Sequence, residues 1–496
     1  MDGFKIKFTK FYTNILTVLM GIVLLSCGLI TVGSLIFYEK FSIEVIIPII
    51  ILTITIGLEL FIIKKDINLK LKILLILLLG FILRVLWLLN VKSVAISDFK
   101  LIYEIAQNLL NGDIGAFFGN GYIARFPHLT VMSLYMAAII KVFPVSNLIV
   151  MKVFNLLFGV ITIYLIYLLV KEIFNSKKLG LYAASLASFF PPLVTYVGIY
   201  CTENIAMPFY LLSTYLFILV IKNKKNKYYL ILSGVCLSMG NLFRMVATIM
   251  LIAFGMYLVI YTKDMWIEKL KKIAMYLLPY ILILFIVSTT FQKIGLTEFP
   301  LWKGSEPKVT SILKGTNIKY FGRWNEEDAS IVNKYNYDYN KINEASKEII
   351  IERLTTTNPL KLAGFYLVKF AMQWSIGDFE GAYLSKLEIP EEAVKVNVSL
   401  WLIELIYVGV MMLIFLGLFN RRKSDSISEI NLLYLILCGY GAMYLVTEAQ
   451  GRYSLIIAWT FIIFSIEGLR VLFMKYNINE EVETIERDLG KQVNLL

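Results

Sequence analysis

Apolar residues recur along the chain in blocks of about 20, each followed by a short polar stretch, and a block of that length crosses a hydrocarbon core of roughly 30 Å. The blocks predict spans at 12–37, 43–63, 71–91, 148–170, 179–199, 204–221, 228–244, 246–262, 272–291, 398–420, 430–447 and 453–474. The fold class expected is an all-α polytopic membrane protein with about 12 transmembrane helices (roughly 11–14). The first block, from Ile15, is too long for a cleaved signal region and has no convincing cleavage site, so it reads as a retained span.

Composition agrees with the pattern. Of 496 residues, 58% are hydrophobic and 17% charged, against roughly 45–50% and about 25% in soluble domains. The net charge of +12 would suggest nucleic acid in a soluble chain, but no aromatic-basic platform accompanies it. Cys27, Cys201, Cys236 and Cys438 lie in or beside apolar blocks, without CxxC or Cys/His spacing. They indicate neither a disulfide framework nor a zinc site. His128 is the single histidine, and no metal or other cofactor is expected.

The basic residues sit in short loops, and these set orientation. The N-terminal MDGFKIKFTK, Lys64 through Lys72, Lys171 through Lys178, Lys222 through Lys227, Lys263 through Lys272, and Arg421-Arg422-Lys423 all become cytoplasmic if the apolar stretch 128–143 does not cross. That stretch begins at Pro127-His128 and fits an interfacial helix on the outer face, as does 359–376. Both termini are then cytoplasmic, and 92–147, 292–397 and the turn Glu448–Tyr453 face outward. The division expected is an N-terminal two-span addition (1–69), a transmembrane core (70–291) whose first outer loop is 92–147, an extracytoplasmic segment (292–397), C-terminal helices (398–475) and a cytoplasmic tail (476–496). The polar stretch 292–358 carries Trp302, Trp324, Tyr335, Tyr337 and Tyr339, lacks low complexity and reads as a small extracytoplasmic subdomain.

In the first outer loop, SDFKLIYEIAQNLLNGD places Phe99, Ile102, Tyr103, Ala106, Leu109 and Leu110 on one helical face. Asp98 opens this amphipathic helix, where an N-cap is the plain structural reading. Glu203 opens the span 204–221, where an acid complements the helix dipole. Arg125, Arg244 and Arg452 share the same outer boundary, and each alone reads as a snorkelling residue. Together they form a ring of acids and guanidiniums suited to transfer from a lipid phosphate. Guanidinium forks bind phosphate oxygens bidentately, and a carboxylate can take a hydroxyl proton. Arg84 lies about one turn below the boundary, and Lys152, Glu59 and Glu404 have no evident role.

Arg84, Ser97-Asp98, Tyr103 and Ala106, Leu110-Asn111-Gly112, Arg125-Phe126-Pro127, Phe190-Pro191-Pro192, Glu203, Gly234…Gly240…Arg244 and Gln450-Gly451-Arg452-Tyr453 follow one another in a distinctive order. This order resembles the protein O-mannosyltransferase-like branch (family 39-like) of the glycosyltransferase-C superfamily, which includes the lipid A aminoarabinose transferases. The resemblance covers about 70–475. It implies transfer of one sugar from a polyprenyl-phosphate donor to a glycan, lipid or protein acceptor on the outer face of the plasma membrane. Asp98 would be the base or acceptor-orienting group, with Glu203 as its catalytic companion. The basic residue before the family's Pro-Pro would contact the donor phosphate; here it is Arg125, with Phe126 intervening and His128 in place of the second proline. Gly315-Thr316-Asn317…Gly322-Arg323-Trp324-Asn325…Asp328 also resembles a stretch of firmicute members.

Arg244 and Arg452 complete the expected phosphate site, with Arg84, Tyr103, His128, Glu448, Tyr453, Asn317 and Trp324 as further substrate-binding candidates. An acceptor hydroxyl deprotonated by Asp98 would attack the anomeric carbon in one displacement, inverting it. Two alternatives remain at this level: a polysaccharide polymerase or ligase, with similar spans and outer loops, and a lipid-linked sugar transporter. The transporter would gather its polar groups near the midplane, whereas these gather at the boundary.

Overall fold

The computed structural model describes residues 2–37, 43–389, 400–421 and 428–474. Arg422, Lys423 and the tail 476–496 lie outside them. Each predicted block is helical, from Asp2–Phe37 to Gly451–Met474, but not every one is a full span. Among the described residues, eight helices are individually long and apolar enough to cross a membrane, or up to ten if each of two bent pairs counts as one. Tyr229–Phe243 and Ala247–Tyr261 have 15 residues each and Ile430–Val446 has 17. Fifteen residues rise only about 22 Å.

Both bends have the same cause. A proline disfavours helical geometry in the residue before it. Phe190, extended before Pro191-Pro192, splits Lys177–Phe189 from Pro191–Gly198 at 56°. Phe126 before Pro127 turns Gly115–Arg125 away from Pro127–Val142 by 109°. The bend precedes the stretch 128–143, whose helix Thr130–Val142 has 13 residues.

Five of the six basic segments are tied together at one end of the bundle. Thr9 shares a hydrogen bond with Tyr261, Lys224 pairs with Glu172 at 2.5 Å, and Lys227 pairs with Glu268 at 3.2 Å. Arg421 joins Glu467 at 2.8 Å and also reaches Asn431, which accepts from Tyr12. The sixth follows by register, since Glu59, one turn above Lys64, accepts from Ser185 and Ser188. The N-terminal helix packs along Leu400–Arg421, and Ile43–Lys64 packs on Leu69–Asn90 and Lys177–Phe189. The N-terminal pair is thus part of the bundle wall.

At the opposite end, 292–358 builds its own small core from Leu313, Ile331, Val332, Ile342 and Ile350. Asp328 is its polar hub. The Arg353 guanidinium donates to both Asp328 oxygens, at 2.7 and 3.2 Å, and Asn317 and Asn325 donate to Oδ2. Pro359–Trp374 then packs against Asp2–Phe37, Ile430–Val446 and Gly451–Ile457, started by Asn358, whose side chain caps Leu360 and Lys361, and by Pro359 at the first helical position.

Positive loops stay inside, so the basic end is expected to be cytoplasmic. In intact cells, cysteines introduced at the exposed Asn120 and Ser330 should react with an impermeant maleimide, and one at the exposed Asn223 should not. Labelling at Asn223 with protection at Ser330 would invert the topology.

Candidate active site

Asp98 is not a helix cap. Ile96 occupies the N-cap position of Ser97–Leu110 and makes no side-chain cap bond, so Asp98 is the second helical residue. Its carboxylate turns instead across the bundle end to Arg452, whose Nη2 donates to Oδ2 at 2.9 Å. Ser97, just before it, has φ 47, a left-handed conformation that costs a non-glycine residue energy and tends to persist at functional sites. The Tyr122 phenol lies near the same carboxylate, whose charge disfavours its ionisation.

Glu203 begins Glu203–Ile221 and is buried, accepting from Thr202 Oγ1 at 3.0 Å. Arg244 Nε lies 3.3 Å from its Oε1, an ion contact without hydrogen-bond alignment. Arg244 reaches this depth because Tyr229–Phe243 stops short. Its carbonyl accepts from Tyr210, and Gly240 lets the two helices close. A Cβ at Gly240 would stand 2.9 Å from the Tyr210 ring.

The two ion pairs meet at Tyr453. The guanidinium carbons of Arg244 and Arg452 each lie 5.2 Å from its ring centroid, and the ring stacks on Tyr444 at 5.8 Å. The result is one array: Asp98, Arg452, Tyr453, Arg244, Glu203. Arg452 Nε is buried without a hydrogen-bond partner among the described residues. Tyr453 itself is held by its hydroxyl, which donates to Glu448 Oε1 at 3.1 Å.

Arg125 stands apart from this array. Its Nε and Nη2 both donate to Glu306 Oε2, at 2.9 and 2.6 Å, and its cation lies over Phe126 and Tyr337. His128 borders Arg244 and Lys308. Tyr103 donates to Asn147 at 2.9 Å and is joined to no member of the array. Glu448 is saturated by Gln450, Tyr453 and Lys314. Asn317 serves the Asp328 hub, while Trp324 is exposed.

Arg84 is buried and spent on backbone carbonyls. Its guanidinium donates to Gly80, Ser188 and Ala187 at 2.9, 3.0 and 3.3 Å, satisfying the end of Lys177–Phe189 at the proline break. Lys152 likewise donates to Ser93 O, and Glu404 accepts from the Gly377 N–H.

Sequence reasoning missed Tyr122, Glu306, Lys314 and Lys369. Lys369 Nζ donates to the carbonyls of Gly315, Leu445 and Thr447, and burial pulls its ammonium down to about 8, with Glu448 opposing. No local pattern marks these four residues, because each acts on a partner dozens to hundreds of positions away. Among the described residues no group of three or more metal-ligating side chains comes together.

Residues 127–291 match the family model of the dolichyl-phosphate-mannose-protein mannosyltransferases. The match covers about a third of the chain. The matched segment contains Glu203 and Arg244, while Asp98 and Arg452 lie outside it. No curated protein matches the sequence. Among solved structures, the oligosaccharyltransferase AglB of Archaeoglobus fulgidus, in complex with an inhibitory peptide and a dolichol-phosphate, is similar at 14% identity and TM-score 0.43 over 84% of this chain and 52% of that one. The oligosaccharyltransferase of the same organism tethered to an acceptor peptide gives 16% and 0.47, over 83% and 50%. The form with Zn and sulfate gives 16% and 0.45, over 81% and 50%. The chain thus spans about half the length of these proteins.

The carbonyl contacts of Arg84 predict a structural role. Arg84→Met should lower the thermal midpoint of the purified protein. Donor-lipid affinity of the folded fraction should stay at the wild-type value. A selective loss of affinity at an unchanged midpoint would return Arg84 to the substrate site.

Proposed function

We propose that the enzyme transfers a single sugar from a polyprenyl-phosphate donor to a hydroxyl acceptor at the outer face of the plasma membrane, with inversion at the anomeric carbon. The observation that carries this reading is the pair of guanidiniums on one tyrosine ring, each beside its own carboxylate, at the end away from the basic loops. Nucleotide sugars are cytosolic, so a site facing outward needs a donor already tethered to lipid. Its leaving group is a polyprenyl phosphate, and Arg244 and Arg452 supply the fixed positive charge that this anion requires. Arg125, neutralised by Glu306, is left out of that role.

The two acids take different parts. Glu203 has a side chain only 7% exposed, against 42% for Asp98. Glu203 is the counter-ion that keeps Arg244 in place, and Asp98 is the acid that an acceptor can reach. In the reaction the acceptor oxygen bonds to the anomeric carbon as its proton passes to Asp98. The bond from that carbon to the phosphate oxygen breaks, and the electron pair leaves with the phosphate. Phosphate oxygens compete with Asp98 for Arg452, so donor binding releases the base. The acceptor is a surface glycan, lipid or protein carrying a free hydroxyl.

The test compares surface glycans, teichoic polymers and glycoproteins by mass spectrometry in cells with wild type, no gene, or Asp98→Asn as the sole copy. Asp98→Asn should cut transfer by the 10²–10⁴-fold typical of a lost general base while the protein still binds undecaprenyl phosphate. Normal transfer by Asp98→Asn would remove Asp98 from the chemistry. Arg452→Lys keeps the charge but loses the planar fork, and should weaken undecaprenyl phosphate binding about tenfold or more. Wild-type affinity in that variant would place the phosphate elsewhere.

A further inference from the structure

The array depends on a turn in which the Glu448 and Ala449 N–H groups find their partners outside the turn. Between the end of Ile430–Val446 and the helix that begins at Gly451, residues 447–450 run extended, and they carry Arg452 and Tyr453 into place. What fixes them comes from the outer segment. The Glu448 N–H donates to Ser311 O at 2.8 Å and the Ala449 N–H to Gly322 O at 3.0 Å. Gly315 lies directly on the turn, where a Cβ would fall 2.4 Å from the Thr447 carbonyl carbon. Lys369 bridges the two pieces, binding Gly315 O on one and Leu445 O and Thr447 O on the other.

One side-chain chain runs through this contact to the site. Lys314 Nζ stands 3.1 Å from Glu448 Oε2, with the two side chains only 12% and 8% exposed. The other oxygen of Glu448 accepts from Gln450 Nε2 at 2.6 Å and from the Tyr453 hydroxyl at 3.1 Å. A carboxylate with both oxygens engaged has little left to offer a substrate. Its hold on the phenol sets the plane of a ring against which both guanidiniums rest. We propose that segment 309–322 is a clamp on the closing turn, in which Lys314 and Glu448 are positioning residues that fix the Tyr453 ring and thereby the spacing of Arg244 and Arg452 for one lipid phosphate. The inference rests on the phosphate reading above and assigns the outer segment to donor affinity.

Full-length protein in nanodiscs, titrated with undecaprenyl phosphate, tests this directly. Tyr453→Phe keeps the ring and loses the hydroxyl that is tethered to Glu448 and lies near Arg452, so it should fold with an unchanged thermal midpoint and bind roughly fivefold more weakly or worse, at least the worth of one ordinary hydrogen bond. Glu448→Ala should weaken binding at least as much. The double variant should be no worse than Glu448→Ala, because both changes cut the same link. Glu448→Gln, whose amide oxygen still accepts from the phenol, should recover most of the affinity. A merely structural Glu448 would give lowered midpoints, with losses that multiply in the double variant, and that result overturns the proposal. Wild-type affinity in Tyr453→Phe overturns it as well. If Arg452→Lys is then weakened, the phosphate reading survives without the clamp. If Arg452→Lys is also unchanged, both fall. Affinity lost in Tyr453→Phe but kept in Arg452→Lys counts against the clamp too, since the ring acts only through the guanidiniums.

Discussion

Two guanidiniums beside one ring repel each other, and at the edge of a hydrocarbon core little water screens them. Arg244 and Arg452 stay together because each has its own carboxylate and both rest on the negative face of Tyr453. That requirement dictates much of the outer end. Glu203 must open its helix at the depth of Arg244, so Tyr229–Phe243 ends early. Asp98 must face Arg452, so the first outer helix forgoes a side-chain cap and Ser97 accepts a left-handed backbone. Buried charges elsewhere obey the same rule with different partners: Arg84 is absorbed by carbonyls, and Arg421 by Glu467 and Asn431.

The helices were legible because bilayer thickness writes itself into sequence as block length, and the basic loops declared their common end. The array was legible only in part. Asp98, Glu203, Arg244 and Arg452 could be named because a charge at the boundary of an apolar block is conspicuous. Their pairing could not, since Asp98 and Arg452 are 354 positions apart. Arg125 shows the limit most clearly. It lies at the expected place in the chain, yet Glu306, on a loop with no motif, neutralises it. Asp98 as an N-cap failed for a related reason: the local preference for an acid at a helix start was outweighed by a distant guanidinium.

The outer segment looks at first like an acceptor domain, with its own core and exposed Trp324 and Phe321. Its polar side chains argue for a different first duty. Asp328 gathers Asn317, Asn325 and Arg353 inward, which makes the segment rigid, and Lys314 and Lys369 then spend that rigidity on the closing turn. Rigidity would serve the proposed phosphate site, because such a site gains affinity from donors already ordered before the ligand arrives.

On the proposed reading, a fixed pair of arginines also imposes an order on the reaction. Without donor, Arg452 holds Asp98 by a hydrogen bond to Oδ2, so that oxygen is already engaged. Glu203 cannot substitute, being buried against Arg244 and Thr202. An acceptor arriving first therefore meets a base that is already occupied. A phosphate arriving first draws Arg452 to itself and leaves the Asp98 carboxylate beside Tyr122, facing the exposed side of the array. On that reading, the guanidinium that faces the leaving phosphate also keeps Asp98 engaged until the phosphate is bound.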